Sequence, residues 1–430
     1  MYLNIKNIEK NMILVFIIIS FFSGILNYLS YFLDNEFIKI WKEIYIILLC
    51  TLVFIFNINI VKIKHNLYLI CIIWLYFFVL ITYSLLNYIP VEIIIYQLKN
   101  DFLLIVFFIA IYCYICNLNE KEIECLLRKI IKYIVCLGAI NAIAMILEYI
   151  FFEAFLNIIG LDRGNWGVSV GVKIITFEGN LRPIGFQSGF VQSSTLVLIA
   201  YFLMNENKIY RIKNIFIKWI SHFIFILAII MSTYVTAILG LMFYFFIKLI
   251  SNIDQFNIKN NINMFFLLNI FVFILLLYTT HGMGIYEIAN IFYPDKAEYS
   301  ILYRIIQHLN IIEDITQSSV STFLGIGLGV NGNFGLDKSL YGIVNKTTDS
   351  AYIYIFSNYG ILGVCIYVLS IIYCIIKLFK NDLIGLKYCL IQVLVIDFFF
   401  NNTVTNFPVN FILILLTGIS FVLSDRRIMI

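Results

Sequence analysis

Two long polar segments hold the residues of this sequence that could do chemistry in water. The first, residues 154–187, runs from Ile158 as IIGLDRGNWGVSVGVKIITFEGNLRPIGFQSGF and sets Arg163, Lys173 and Arg182 against Asp162 and Glu178. The second, residues 281–349, holds Arg304, His308, Glu313, Asp314, Asp349 and several glycines. Guanidinium groups suit phosphate because their donors meet its oxygens in pairs. Arg182 stands just before an apolar run and Arg304 lies in an amphipathic stretch, so both suit a pyrophosphate at headgroup level. A surface ion pair or a phospholipid contact is the competing reading of each. Arg304 and His308 are four apart, so on a helix they share a face and meet one ligand, where an imidazole can shuttle a proton. That helix is expected over 299–314, with Ile301, Ile305, Leu309 and Ile312 on another, apolar face. Asp349, in Thr347-Thr348-Asp349-Ser350, is either a helix N-cap or a carboxylate that takes a proton from a hydroxyl.

Other patterns are set aside. Gly327-x-Gly329-x-x-Gly332 fits the dinucleotide spacing, but no strand–helix–strand context surrounds it. Backbone brought close to a bulky substrate is the better account of those glycines. Cys113-x-x-Cys116 lies within one apolar helix, where two small side chains are the simpler reading than a redox or zinc pair. No metal-ligand cluster, catalytic triad or phosphate-binding loop is legible, so no cofactor is expected.

The elements that must position these residues follow from composition. The 430 residues are 62% hydrophobic, 17% aromatic and only 13% charged, with mean hydropathy +0.97. Soluble chains average about 25% charged. This excludes a soluble enzyme with one aqueous core, a disordered chain and a disulfide-framed secreted domain. The net charge of +4 is too small and scattered for nucleic-acid binding. The expectation is an all-α polytopic membrane protein. A ruler of roughly 20 apolar residues per crossing gives about twelve spans: 11–33, 43–60, 67–87, 101–118, 130–153, 188–204, 215–231, 233–250, 262–280, 350–378, 384–401 and 407–424. The 215–250 stretch is too long for one helix and is read as a hairpin broken at Met231-Ser232-Thr233.

The chain then divides into helices 1–5 in residues 1–153, a first large outer loop at 154–187, and helices 6–9 in 188–280. A second large outer loop at 281–349 and helices 10–12 in 350–430 complete it. Lys and Arg crowd alternate short connections (Lys62, Lys64, Lys121, Arg128, Lys129, Lys132, Lys208, Arg211, Lys213), whereas the opposite short loops hold only Lys39, Lys42 and Lys99. The positive-inside bias therefore puts both termini in the cytoplasm and both long loops outside. Glu148, Asp397 and Asn401, toward the outer ends of their spans, hint at a polar vestibule there.

Four segments resemble the O-antigen polymerase (Wzy-type) proteins of the O-antigen ligase/polymerase superfamily. Arg182-Pro-Ile-Gly-Phe-Gln-Ser-Gly-Phe is similar to that family's R-x-x-G-F entry into a span. Ser232-Thr-Tyr-Val-Thr sits where relatives carry a Ser-Arg-Thr element. Phe323-Leu-Gly-Ile-Gly-Leu-Gly resembles a glycine-rich segment late in the large outer loop. Thr348-Asp349-Ser350 leading to Tyr359-Gly360-Ile361-Leu362-Gly363 resembles the closing element. The likeness covers about 180–380; the N-terminal third is similar only in hydropathy. Tyr234 departs from it, standing where many relatives have arginine, and Asp349-Ser350 stands where ligases generally have histidine, which favours the polymerase side.

The resemblance implies glycosyl transfer on the periplasmic face of the bacterial inner (cytoplasmic) membrane, joining repeat units carried on undecaprenyl pyrophosphate. It implies Arg182, Arg304 and Arg163 on the pyrophosphate, and Asp349, or else His308, as the base. Its expected partners are the undecaprenyl-pyrophosphate-linked oligosaccharide, membrane lipid, a chain-length regulator protein and a flippase, with no nucleic acid. The alternatives are an O-antigen ligase and a lipid-linked oligosaccharide flippase. Internal repeats, common in transporters, are not evident here.

Overall fold

The computed structural model describes residues 2–57, 67–160, 172, 176–177, 180–206, 212–254, 263–268, 303–331, 350–378, 384–392, 402 and 404–425. The described chain is helical, apart from a two-residue antiparallel pairing of β1 (Thr176–Phe177) with β2 (Asn180–Leu181). The helices are α1 (Tyr2–Phe21), α2 (Ser23–Phe32), α3 (Glu36–Lys39), α4 (Trp41–Asn57), α5 (Leu67–Leu86) and α6 (Val91–Cys116). Next come α7 (Glu120–Ile150), α8 (Phe152–Ile159), α9 (Phe190–Glu206), α10 (Ile215–Met231) and α11 (Val235–Asp254). The C-terminal part adds α12 (Tyr303–Thr316), α13 (Ser319–Leu324), α14 (Ala351–Leu378), α15 (Ile384–Gln392) and α16 (Val409–Asp425).

Among the described residues three helices are long and apolar enough to cross a membrane: Val91–Cys116, Glu120–Ile150 and Ala351–Ser370 of α14. The bent pair α1–α2 makes a fourth if taken as one span, and shorter apolar helices pack against them, α10 on α7 and α16 on α6 and α14. Outward-facing side chains are large and apolar, among them Leu75, Phe78, Trp219, Phe223 and Leu369. A soluble protein rarely exposes apolar surface on this scale; a bilayer accepts it.

Sequence sets the helix starts. Asn119 Oδ1 accepts from Glu122 N at 2.9 Å while Glu122 Oε2 accepts from Asn119 N at 2.8 Å, a reciprocal cap that opens α7. Asn214 caps α10 by accepting from Phe216 N at 2.9 Å.

Polar contacts fix the relative directions of several helices. Asn57 Nδ2 donates to Glu9 Oε1 at 2.5 Å and Asn117 Nδ2 donates to Asn57 O at 2.9 Å. The start of α1 and the ends of α4 and α6 therefore share one end of the stack, where α7 begins. Glu148, near the far end of α7, meets the segment that leads into α9, so α9 runs back. It finishes at Glu206, paired with Lys248 of α11 at 2.7 Å. The expected hairpin at 231–233 is present. His222 and Phe225 of α10 and Tyr244 and Phe245 of α11 all surround the Tyr201 ring, at centroid distances of 5.5–6.2 Å. In one continuous helix His222 and Tyr244 would be about 33 Å apart. Thr233, with φ 49°, makes the turn.

Four expectations change. The span at 11–33 is not one helix: it breaks at Phe22, with a 66° bend between its halves. The span placed at 101–118 starts at Val91, so Gln97 and Lys99 belong to a helix rather than to a loop; Pro90, which has no amide hydrogen to leave unpaired, stands just before it. The one at 130–153 begins at Glu120. The span at 350–378 is broken at Gly360, whose φ of 64° and ψ of −170° lie outside the helical region. Residues 58–66, 269–302, 332–349 and 393–401 lie outside the described residues, so the spans placed on them are not traced. Cys113 and Cys116 lie inside α6 as thiols, not as a disulfide.

Gly360 is where the second long segment docks. A Cβ there would run into the Phe323 carbonyl, and the left-handed φ already disfavours any L side chain. Gly360→Ala is expected to cost more than about 2 kcal/mol, read as a lowered thermal midpoint of the purified full chain in detergent. A midpoint equal to wild type would show that residues 323–329 do not dock on α14.

Candidate functional site

Four of the sequence elements singled out above meet in two pairs. The first pair joins residues 182–190 to the α10–α11 turn. Arg182 Nε donates to Thr233 Oγ1 at 2.9 Å and its Nη2 donates to the Thr233 carbonyl at 3.3 Å. The guanidinium carbon lies 4.5 Å from the Phe190 ring centroid, and that ring meets Tyr234 edge-on at 5.9 Å. Arg182 is half-buried, so the side chain is held from two sides, by hydrogen bonds and by a cation–π contact.

The backbone behind Arg182 is gripped from three directions. Glu148 Oε2 of α7 accepts from the amides of Ile184 and Gly185, each at 2.8 Å. About two turns deeper, Asn141 Oδ1 accepts from Phe186 N at 2.9 Å while its Nδ2 donates to Ser193 Oγ at 2.9 Å; Ser193 Oγ in turn donates to the Ile184 carbonyl. The α1–α2 break supplies the third grip. Gln187 Nε2 donates to Phe21 O at 2.6 Å, Ser23 Oγ donates to Gln187 Oε1 at 3.0 Å, and Gly24 N donates to Phe186 O at 2.9 Å. Asn141 and Gln187 are fully buried. Gly185 has φ 57°, and a Cβ on it would strike Asn141 Oδ1. The sequence Pro183-Ile-Gly-Phe-Gln187 is thus an irregular strip of backbone whose polar groups are answered by side chains of apolar helices, as burial requires.

The second pair joins residues 323–331 to α14. Ile326 N donates to Ser357 O at 2.8 Å, Gly329 N donates to Asn358 Oδ1 at 2.8 Å, and Asn358 Nδ2 donates to Asn331 O at 3.0 Å. Leu328 N donates to Ser84 Oγ of α5 at 2.9 Å. Beneath this strip Asp101 of α6 accepts from Tyr354 OH at 3.0 Å, from Gln97 Nε2 at 2.5 Å and from Tyr359 OH. The glycine-rich segment was expected to bring backbone close to a substrate. In the structure the close approach is to the protein itself, since Ile89, Ile93 and Ser357 occupy the space beside Gly327, Gly329 and Gly325.

Arg182 is placed in detail, and His308 and Arg304 in part. His308 is half-buried in α12 and lies on the stripe of the buried Ile311 and Ile315, whereas Leu309 is exposed. The inward face of this helix is therefore rotated from the expected one: residues 308, 311 and 315 pack, and Leu309 does not. Arg304 is helical and one turn before His308. Arg163 and Asp349 lie outside the described residues, as do Asp397 and Asn401. Glu148, read from the sequence as a hint of a polar vestibule, commits its carboxylate to the 184–185 amides.

Several residues of this end escaped the sequence reading: Asn141, Gln187, Gln97 and Asp101, and a Lys42–Glu43–Lys99 cluster. Their common signal is a polar group inside or at the rim of an apolar run, costly there unless it is partnered. No family model, no curated protein and no solved structure matches the chain.

Removing the grip tests its role. Glu148→Ala leaves one buried and one part-buried amide without an acceptor and is expected to cost about 2–4 kcal/mol, read as a thermal midpoint well below that of Glu148→Gln, which keeps a carbonyl acceptor. Equal midpoints for the two variants would show that the carboxylate does not hold residues 184–185.

Proposed function

We propose that the chain is a polytopic membrane glycosyltransferase of the O-antigen polymerase kind. In this reading it has about twelve spans with both termini cytoplasmic, and it joins undecaprenyl-pyrophosphate-linked repeat units on the periplasmic face of the inner membrane. The single observation that supports it best is the position of Arg182. The loop that bears it is anchored on α7, on α9 and at the α1–α2 break, and its guanidinium reaches the α10–α11 turn beside Tyr234. Tyr234 is the position where many of the resembled proteins carry an arginine, so here an arginine from the neighbouring element supplies the cation at that place. The pairing of the four elements, 182–190 with 232–234 and 323–331 with 357–360, further supports reading them as one functional end. That end is opposite the one where α1 begins, and hence outside under the positive-inside bias.

The reaction follows from the groups. A hydroxyl of the acceptor's terminal sugar attacks the donor's anomeric carbon; the bond from that carbon to the diphosphate oxygen breaks, and the lipid diphosphate departs with the electron pair. Negative charge grows on the leaving oxygens in the transition state, and Arg182, with Arg304 and Arg163 as further cations, stabilises it there. The hydroxyl proton passes to Asp349, with His308 as the second candidate. Because the lipid diphosphate is the leaving group, the reaction needs no nucleotide. His308 is the weaker base candidate on geometry, because it lies on the packed stripe of its helix. A chain-length regulator protein and a flippase are the partners expected from the resemblance.

The experiment is a surface-polysaccharide gel of a deletion strain complemented with variants. Wild type restores a ladder; Arg182→Ala and Arg304→Ala are expected to leave core plus one repeat at normal protein level, and a wild-type ladder from both would sink the phosphate assignment. Core with no repeat in the deletion strain would point to a ligase or flippase instead. Asp349→Asn should lose polymer more completely than Asp349→Glu, and full activity of the asparagine variant would reduce Asp349 to a helix cap.

A further inference from the structure

The cluster at the start of α4 is not used by anything above. Glu43 Oε1 lies 3.0 Å from Lys99 Nζ of α6 and 3.9 Å from Lys42 Nζ. Its other oxygen, Oε2, is buried without a hydrogen-bond partner among the described residues, so there the two lysines answer the carboxylate. Both ammonium groups also sit over rings, Lys99 over Tyr96 at 4.5 Å and Lys42 over Phe407 at 5.2 Å. Two long side chains that would otherwise wander are held in place, with about a third of each still exposed. One carboxylate against two ammoniums leaves a net positive charge at a fixed point.

The surroundings specify an amphiphile. Below Lys42 the outward face of α4 is apolar and open: Ile44, Ile47 and Leu48 are 44%, 55% and 54% exposed. The cluster also belongs to the same end of the stack as Arg182. Phe407 adjoins Asn406, which accepts from Gln192 Nε2 at 3.4 Å, and Gln192 is one half-turn from Phe190, the ring under Arg182. A cation pair above an apolar helix face, beside a first phosphate-binding arginine, suits a phosphate group carried on a hydrocarbon chain.

We propose that Lys42 and Lys99 form a second lipid-phosphate subsite, distinct from Arg182, which seats the diphosphate of the other lipid-linked substrate. This rests on the polymerase reading, in which two such lipids must lie side by side for one sugar to attack the other. Glu43 is the positioning residue that keeps the two ammoniums together, and the α4 face carries the first part of the hydrocarbon tail.

The test is binding of farnesyl diphosphate to the purified full chain in phosphatidylcholine nanodiscs, with stoichiometry read by native mass spectrometry. Wild type is expected to take two molecules. Lys42→Gln/Lys99→Gln should take one, with the lost event at least about tenfold weaker, the scale of charge-assisted hydrogen bonds to phosphate. Because that variant strands the buried Glu43, the triple variant with Glu43→Gln is measured beside it and should behave the same. Arg182→Gln should also drop to one, and the combination to none. Two molecules bound by the lysine variants would overturn the subsite. So would retention of farnesyl diphosphate with loss of bound phosphatidylglycerol in a parallel set of nanodiscs doped with that lipid, which would make the pair a phospholipid headgroup contact. If Arg182→Gln still binds two while the lysine variants bind one, the subsite stands and the Arg182 assignment fails.

Discussion

An irregular stretch of backbone cannot lie among apolar helices unless every amide and carbonyl on it finds a partner. Residues 183–187 are such a stretch, and the structure around them is arranged to satisfy it. Glu148 and Asn141 present acceptors from α7, Ser193 returns a hydroxyl from α9, and the α1–α2 break exposes one carbonyl and one amide that a continuous helix would have consumed. The bend at Phe22, the polar side chains in the last third of α7 and the left-handed glycine at 185 are three answers to one requirement. Arg182 inherits its position from that requirement, because it stands one residue before the gripped strip.

The second strip, 325–331, is treated in the same way by different residues. Ser84, Ser357 and Asn358 meet its amides, and α14 is interrupted at Gly360 so that the Phe323 carbonyl can approach. In both places a helix gives up regularity to receive a loop. Breaks in long helices have local causes, and here the cause is a neighbouring backbone rather than proline: the cis Phe407–Pro408 bond lies between helices, and Pro90 at the start of one.

Much of this was legible in the sequence and some was not, for identifiable reasons. Apolar runs reveal helices because lipid selects them by length and hydropathy, and the 231–233 turn was readable because the run over 215–250 exceeds one crossing. The bend at Phe22 was not readable: Ile19-Ser-Phe-Phe-Ser-Gly carries no charge and no proline to mark a break, and its partner, Gln187, is 164 residues from Ser23. The early start of α6 was hidden because Gln97 and Lys99 look like loop residues until Tyr354 and Glu43 are known to receive them. For the same reason Arg182 stood out as a cation before a span, whereas the lysine pair did not: Lys42 and Lys99 are far apart in sequence and only the packing of α4 on α6 unites them. On α12, the helical period was correct and the inward stripe was not, since isoleucines at 305, 311, 312 and 315 permit more than one face.

The break between α1 and α2 also bears on how the chain comes together in time. The Phe21 carbonyl and the Gly24 amide are made with the first helices, but the groups that satisfy them, Gln187 and Phe186, are synthesised long afterwards. Until residues 186–187 arrive, the N-terminal helices carry a polar gap in an apolar setting, and α7 carries Glu148 and Asn141 in the same condition. The nascent protein therefore matures as one unit: its first two helices reach final form only when the segment bearing Arg182 packs back against them, so truncation before that point would leave an intermediate with unsatisfied polar groups.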